Sequence, residues 1–376
     1  MQPFNVEIFD RNFNFIHNYT IESPVYKYDY LTPTENDVTI SFNKNIAMGQ
    51  YIVIANAYRK YEGVISGIEV ISKDFIKVKY KPLTNLFNTT VYIDYRNQDP
   101  AYSGHAPADK SIEQIIYENI VNIYINGYPP MPWELSSMLD YPTDNLQKIP
   151  NLVVTKKTDT MVWQLGLEMS SGWGQYQYFC EVNLSNFVIP RALKQAGVLV
   201  TMRLDIQNKK VYCDIEKTST TSLVIEADLP QIIKKTINEI STIEMPNKVI
   251  VLPYPPDGSI PVTVYYRHSD GTWDTNDTDR LTPVILYSES VSASEYPNME
   301  AELFDKYGAV LYANLIELTT LYGVYNIEIG NVVSIISGDK QYESMFTGYE
   351  IKNNTIKLIF GMLRLDLTKI LKGRSM

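Results

Sequence analysis

The chain has 376 residues and a formal net charge of -10 at pH 7. This length exceeds what one compact core usually takes, so we expect two to four domains. A composition of 45% hydrophobic and 20% charged residues is typical of a folded globular protein and argues against disorder. No Lys/Arg cluster offsets the negative charge, which disfavours general binding to phosphate backbones or anionic membranes. The 29 tyrosines favour strands and interfaces, where a ring is buried and its hydroxyl stays near water.

The N-terminal stretch "MQPFNVEIFDRNF" has neither the basic nor the apolar region of a signal peptide. The sequence contains no apolar run near the roughly 20 residues that cross a bilayer, so membrane insertion is not expected. Cys180 and Cys213 lie in separate strand-like segments. We expect both to be small buried residues in a chain made in a reducing cytosol, without a disulfide.

The first predicted elements are short strands that recur near the other end of the chain. "KYEGVISGIEV" (60–70) matches "QYESMFTGYEI" (341–351), and "IAMGQYIVI" (46–54) matches "IEIGNVVSI" (327–335), both at an offset of 281. The matched pairs are Gly49 and Gly330, Tyr61 and Tyr342, Glu62 and Glu343, Gly67 and Gly348, and Glu69 and Glu350.

Two further blocks extend this repeat. "IKVKY" (76–80) matches "IKLIF" (356–360) at offset 280, and "VEIFDRNFNFI" (6–16) matches "AELFDKYGAVL" (301–311) at offset 295. The first copy is therefore 14 residues longer, and the extra length falls around "SPVYKYDYLTPTENDV", predicted to be a loop or hairpin. Blocks in the same order indicate a duplicated module. Its short strands and glycines favour a small β-barrel, with the glycines at bends or bulges where a side chain does not fit.

The middle of the chain has a different pattern. Residues 109–127 place isoleucines on one face of a helix, with Ser111 near its start and Gly127 at its end. Residues 183–197 predict a second, shorter helix. "VLVTMRLDIQNKKVYCDIE" alternates as a hairpin. These elements predict an inserted α/β domain.

The region that follows is mainly strands. Residues 228–245 fit either a helix or strands, and their β-branched content favours strands. "PVTVYYRHSDGTWDTNDTDRLTPVILYSESV" predicts two strands around an acidic loop. The predicted fold is thus mixed and mostly β. It has a tube-like barrel in 1–98, a peripheral α/β domain in 99–230, a small β domain in 231–300, and a second, similar barrel in 301–376.

Motifs of common active sites are missing from the sequence. It has no Gly-x-Ser-x-Gly, His-Glu-x-x-His, phosphate loop or Cys-x-x-Cys, and we predict no cofactor. The histidines His17, His105 and His268 are scattered. The strongest metal candidate is an acidic loop, but it lacks the glycine and closing glutamate of an EF-hand, which favours a solvated turn. Its carboxylates are Asp270, Asp274, Asp277 and Asp279.

Two other functional classes stay open. Trp163, Trp173, Tyr176 and Tyr178 could stack on sugars in a glycan-binding module, although aromatic residues in strands more often form cores or interfaces. A cell-wall hydrolase needs a pair of carboxylates set by distance in space, which a sequence does not display.

The order of the motifs resembles the hub proteins of phage tail baseplates and the N-terminal structural part of tail-associated lysins. The resemblance rests on "VEIFD", "GQYIVI" and "YEGVISGIE" in the first module, and on "IEQIIYENIVN" and "VTVYYRHSDGTWDTNDTDRLTPV" farther on. It covers nearly the whole chain, is most similar to hubs of lactococcal siphophages, and depends on motif order more than on any single motif.

This resemblance implies a homotrimer in the virion, assembled from chains synthesised in the cytoplasm of a bacterial host. Three chains with two modules each would form a pseudo-six-fold ring that closes the tail tube, contacts the distal tail ring protein and other baseplate proteins, and opens on host attachment. Phage DNA would pass through without sequence-specific binding. Lysin-type relatives continue into hydrolase domains, whereas this sequence ends at Met376, so we expect a structural protein and not an enzyme.

Overall fold

The computed structural model shows a protein built mainly of β-sheets, as the sequence predicts. It describes residues 3–22, 25–56, 59–94, 111–128, 148–159, 179–239, 247–253, 261–268, 273–278, 286–291, 312, 314–321, 323–352, 354–362 and 364.

The elements of these residues are numbered in chain order. The strands are β1 Phe4–Phe9, β2 Phe15–Ile21, β3 Val25–Asp29, β4 Asn36–Ser41, β5 Tyr51–Ala55, β6 Lys60–Val70, β7 Phe75–Pro82, β8 Thr90–Asp94, β9 Leu152–Lys156, β10 Phe179–Asn183, β11 Val198–Asp205, β12 Lys210–Lys217, β13 Thr220–Glu226, β14 Ile232–Glu239, β15 Lys248–Pro253, β16 Thr263–Arg267, β17 Trp273–Asp274, β18 Leu286–Val291, β19 Asn314–Leu321, β20 Val332–Ser337, β21 Lys340–Lys352 and β22 Thr355–Phe360. The helices are α1 Ile112–Ile120 and α2 Ile189–Ala196, with a 3₁₀ turn at Leu83–Phe87 and π-helical turns at Val121–Asn126 and Leu184–Val188.

The first repeat forms a six-stranded antiparallel sheet in the order β2-β1-β5-β6-β7-β4. Ile76, Val78 and Tyr80 alternate with polar residues along β7 and are buried on one face. The two outer strands approach each other, since His17 Nε2 of β2 lies 3.0 Å from Ser41 Oγ of β4. Within the described residues, the pairing is an open series, so a closed barrel stays a prediction.

The second repeat forms a sheet in the order β13-β20-β21-β22-β19-β14, and β3 pairs with β21 outside this path. All its pairs are antiparallel except β13 with β20. Strands β20, β21, β22 and β19 hold the places of β5, β6, β7 and β4 in the first sheet. The matched block 301–311 lies outside the described residues.

The excursion that lengthens the first repeat is the main departure from the sequence reading. The sequence predicts a loop or hairpin there. This is wrong for β3, which is a strand paired with a distant segment and not with its neighbour in the chain. Residues Val25–Asp29 form a strand that pairs with β21 of the second repeat over Gly348–Lys352. Strand pairing between distant segments leaves no local signal, because alternation shows only that a strand forms.

The inserted region has the predicted helices and hairpin. Ser111 caps α1 by accepting a hydrogen bond from the Gln114 backbone N–H at 3.1 Å, and Gly127 ends the following π turn in the left-handed conformation. The hairpin β11–β12 pairs with β9, and α1 and α2 pack on this sheet and its surroundings in one apolar cluster.

Sheet membership does not follow the domain boundaries predicted at residues 230 and 300. Strand β13 pairs with β20 and β14 pairs with β19, so both belong to the sheet of the second repeat. Residues 248–291 contribute a separate four-stranded sheet in the order β17-β16-β15-β18. In it β16 and β18 both flank β15 and do not pair with each other.

Two apolar clusters organise the protein. One joins the facing sides of both repeat sheets, from Phe4 and Ile52 in the first to Ile316 and Phe360 in the second. The other lies under the helices and reaches the opposite face of β5 through Tyr51 and Val53. Strand β5 is therefore buried on both faces.

Among the described residues, no helix is long and apolar enough to span a membrane.

Candidate assembly site at the junction of the two repeats

The matched glycines Gly49 and Gly330 form the same turn in both repeats. Their φ angles are +82° and +88°, a region that L side chains rarely adopt. The Gly49 N–H donates to Ile65 O and the Gly330 N–H to Phe346 O, each at 2.8 Å. Acceptors and glycines share the offset of 281, so the repeat extends to individual hydrogen bonds.

The matched glycines Gly67 and Gly348 lie at the same β-bulge. The pairing register shifts between Ile65 and Gly67 in β6, and between Phe346 and Gly348 in β21. The space around them differs. A Cβ at Gly348 would lie 2.7 Å from Tyr28 O of β3, whereas one at Gly67 would meet only the Lys79 side chain, at 3.5 Å. The close approach at Gly348 exists because β3 lies there.

Strand β3 is held on both of its edges. On one side its backbone pairs with β21, and the Tyr30 N–H just beyond it donates to Thr347 O at 3.0 Å. On the other side the Asn36 side chain occupies the polar groups of Lys27, because Lys27 N–H donates to Asn36 Oδ1 and Asn36 Nδ2 donates to Lys27 O, both at 2.8 Å. A carboxamide thus takes the place of a further strand.

Tyrosines from both repeats pack around β3. Tyr28 of β3 stacks on Tyr349 of β21, with ring centroids 5.7 Å apart and planes 16° apart. Tyr26 meets Tyr61 of β6 edge-on at 5.4 Å, and Tyr61 meets Tyr80 at 5.2 Å. Aromatic pairs of this kind add about 0.5–1.5 kcal/mol each beyond the area they bury. The unusual tyrosine content is thus partly explained by this inter-repeat contact.

The buried tyrosines keep their protons well into alkaline conditions. Burial raises the pKa of Tyr349 to about 12, and the nearby Arg59 guanidinium and the Tyr26 hydroxyl act in the opposite direction. Burial likewise raises the pKa values of Tyr28, Tyr61 and Tyr80. The neutral form is therefore the one that the fold stabilises.

A buried ion pair joins the excursion to the C-terminal part of the chain. The Asp29 side chain is 1% exposed, and Arg364 binds it with two parallel hydrogen bonds, Nε to Oδ2 at 2.9 Å and Nη2 to Oδ1 at 3.0 Å. Arg364 Nη2 also donates to Thr347 Oγ1 at 2.9 Å. Bidentate pairing fixes geometry as well as charge, so this contact fixes the end of β3 against the bulge of β21.

Other contacts hold the inserted region and the second repeat against the first. Arg59 Nη1 donates to Ile327 O at 2.9 Å, and its guanidinium lies 5.4 Å from the centre of the Tyr349 ring. The Leu204 N–H donates to Glu62 Oε2 at 3.0 Å, and the Val200 N–H donates to the Tyr30 hydroxyl at 2.8 Å. The first repeat, the second repeat and the inserted region therefore all meet at this junction.

The remaining matched pairs occupy equal backbone positions but differ in their surroundings. Tyr61 is buried, whereas its match Tyr342 is half-buried. Glu62 binds β11, whereas Glu343 is exposed. Glu69 is exposed, whereas Glu350 pairs with Lys357 at 2.9 Å. The repeat keeps the backbone path, and side chains at the junction have diverged.

The acidic loop is only partly described. Asp270 and Asp279 lie outside the described residues, as do His105 and the aromatic residues Trp163, Trp173, Tyr176 and Tyr178. Asp274 Oδ1 lies 2.9 Å from His268 Nε2 and accepts the Asn276 N–H at 2.7 Å. Asp277 is exposed. Within the described part of the chain, no group of three His, Cys, Asp or Glu side chains is placed to hold a metal ion.

Cys213 is a buried free thiol, as expected for a small core residue, and burial raises its pKa.

The residues that form the junction are not marked by any motif in the sequence. Tyr26, Tyr28, Asp29 and Asn36 all fall in the excursion, and Arg364 lies outside the matched blocks. The one signal in the sequence is the pattern of "VYKYD", which has tyrosines at alternate positions as a strand does.

Comparisons with known proteins give a likeness of fold. No protein-family model and no curated protein matches the sequence. The 43 kDa tail protein of prophage MuSo2 from Shewanella oneidensis matches at a TM-score of 0.50 and 11% identity, over 96% of this chain and 98% of that one. A tail protein from Neisseria meningitidis MC58 matches at 0.50 and 10%, over 96% and 97%. A chain of the p2 virion baseplate in its activated conformation matches at 0.50 and 11%, over 96% and 100%.

Identities this low show only that the folds are similar. The specific resemblance to lactococcal siphophage hubs stays a prediction. Each match extends over nearly the full length of both chains. The chain therefore has the fold of phage tail and baseplate proteins.

Proposed function

We propose that this protein is a structural hub of a phage tail tip or baseplate, present in the virion and without hydrolase activity. It forms a homotrimer in which each chain contributes two similar modules to a ring. The observation that carries this proposal is the duplication: two modules in one chain share their turn, their bulge and the register of their strands. The tail and baseplate proteins that share the fold support it.

The duplication has a mechanical use in such an assembly. Three chains with two modules each place six similar surfaces around one axis, so a three-fold object can meet a six-fold one. The hub closes the tail tube, contacts the distal tail ring protein and other baseplate proteins, and opens after host attachment so that DNA leaves. A trimer carries a formal charge of -30, three times that of one chain. Acidic groups facing the channel would repel phosphates and let DNA pass without binding.

The test is the solution mass of the purified protein, measured by light scattering over a hundredfold range of concentration. The proposal predicts three chains of 43.1 kDa, and a mass of one chain at every concentration contradicts it. A pull-down with the distal ring protein of the same phage tests the partner. A control variant is Val262→Lys, an exposed position just before β16 of the separate four-stranded sheet, which is not expected to change mass or binding.

A further inference from the structure

The outer edge of β6 is open where the matching edge of β21 is covered. In the second repeat, β3 lies along Gly348–Lys352, and Ile351 is 0% exposed. The matching residue of the first repeat is Val70, which is 65% exposed, and the neighbouring Ile71 is 52% exposed. The two repeats thus have the same backbone with and without an added strand.

The backbone of this edge is set to form hydrogen bonds. The Ile71 N–H donates to Phe75 O in the turn to β7, and Glu69 is opposite Lys77. Since an antiparallel strand directs its polar groups to alternate sides, those of Ile68 and Val70 face away from β7. Among the described residues, no strand pairs with them on that side. Their matches Tyr349 and Ile351 are opposite Tyr28 and Tyr26 of β3.

Other features of this edge also favour binding. Native edge strands usually carry a proline, an inward charge or a covering group that prevents pairing. Strand β3 has such protection, since Asn36 occupies the outer groups of Lys27. Along the open edge of β6, the exposed Glu69 is followed by the exposed apolar residues Val70 and Ile71, with Phe75 (43% exposed) beside them. A short peptide-binding edge in other proteins has this combination of free backbone and apolar side chains.

Among the described residues, each chain has two such edges and one strand, β3, that adds to one of them. The second repeat is 14 residues shorter in the part that gives β3 in the first, so it has no counterpart of β3 to donate. Three chains would hold six edges and three copies of β3, all three used within their own chains. The described part of another copy therefore offers no equivalent strand.

We propose that the Ser66–Val70 edge of β6 is an acceptor site for an extended segment of a different protein, which adds to the sheet as β3 does to β21. The segment carries apolar or aromatic side chains at alternate positions, as "VYKYD" of β3 does. The site does not depend on the oligomeric state.

The experiment uses the full chain and a synthetic peptide of residues 25–31, VYKYDYL, as the probe. Residue-resolved hydrogen exchange is measured with and without millimolar peptide. We expect exchange at Ile68 and Val70 to slow at least tenfold, while exchange at Glu69, already bonded to β7, stays unchanged. Slower exchange at every second residue indicates strand addition, whereas a general stabilisation of the fold would also slow exchange at Glu69.

Two variants make the result specific. Val70→Lys, a charge on the edge, should abolish the protection, whereas Val262→Lys, a change at a position 61% exposed, should keep it. If Ile68 and Val70 are already protected without peptide and lose that protection on dilution to the monomer, another copy covers the edge and the proposal is wrong. Fast exchange at both residues with peptide present also overturns it. Neither result bears on the trimer, which the mass measurement tests separately.

Discussion

Replacing Gly348 with alanine should destabilise the protein, whereas the equivalent change in the other repeat, Gly67→Ala, should not and serves as the matched control. Both glycines lie at the same bulge and neither has a left-handed φ. Any difference in the effect of the two changes must therefore come from what surrounds them.

The structure gives the size of that difference. The new Cβ at Gly348 would lie 2.7 Å from Tyr28 O and 3.2 Å from Asp29 Cα, both backbone atoms of β3. Ordinary contact begins near 3.4 Å, so β3 has to move by about 0.7 Å, and overpacking of this kind costs about 1–3 kcal/mol. At Gly67 the nearest atom is Lys79 Cδ at 3.5 Å, and alanine should be neutral or stabilise by about 0.5–1 kcal/mol by restricting the unfolded chain.

Urea unfolding of the wild type and both variants measures these free energies, and hydrogen exchange at the Tyr30 amide, which donates to Thr347 O, reports on β3 itself. We expect Gly348→Ala to lower the unfolding midpoint and speed exchange at Tyr30, and Gly67→Ala to do neither. Equal losses in the two variants would refute the claim that β3 causes the close approach at Gly348.

Three further predictions concern the same junction. Arg364→Met removes both guanidinium hydrogen bonds from the buried Asp29 carboxylate but leaves Lys27 Nζ 3.5 Å from it, so it should cost about 2–3 kcal/mol in urea unfolding. Adding Asp29→Asn should recover part of the loss, and strict additivity would contradict the pairing. Asn36→Ala exposes the bonded polar groups of Lys27 and should cost about 1–2 kcal/mol in the same assay, whereas no loss would mean that water replaces the carboxamide. Because the folded pKa of Tyr349 is raised to about 12, its share of the stability is complete below pH 10 and is lost between pH 10 and 12, by about 3 kcal/mol. Unfolding free energies from pH 8 to 12 should therefore fall less steeply in Tyr349→Phe than in the wild type, and identical slopes would contradict this.

Much of the local structure could be predicted from the sequence. The offset of 281 locates equal turns at Gly49 and Gly330, because a backbone with positive φ strongly favours glycine in both copies. Ser111 and Gly127 mark a helical segment through cap chemistry that acts within one turn. Signals of this kind are local, so a single sequence contains them.

The contacts between distant segments could not be predicted in this way. Asp29 and Arg364 are 335 residues apart, and neither is marked by a motif. Strands β13 and β14 read as parts of other regions because alternation reveals a strand but not its neighbour. The chemical alternatives also depend on distances in space, and the aromatic residues behind the glycan-binding hypothesis lie outside the described residues.

We propose that two matching modules per chain form a ring with six similar positions. Negative-stain images of the purified oligomer, averaged along its axis, test this most directly. We expect six lobes of similar size around a central opening, with three-fold symmetry when the lobes are compared in detail. A ring of three lobes, or a compact particle without an opening, would contradict it.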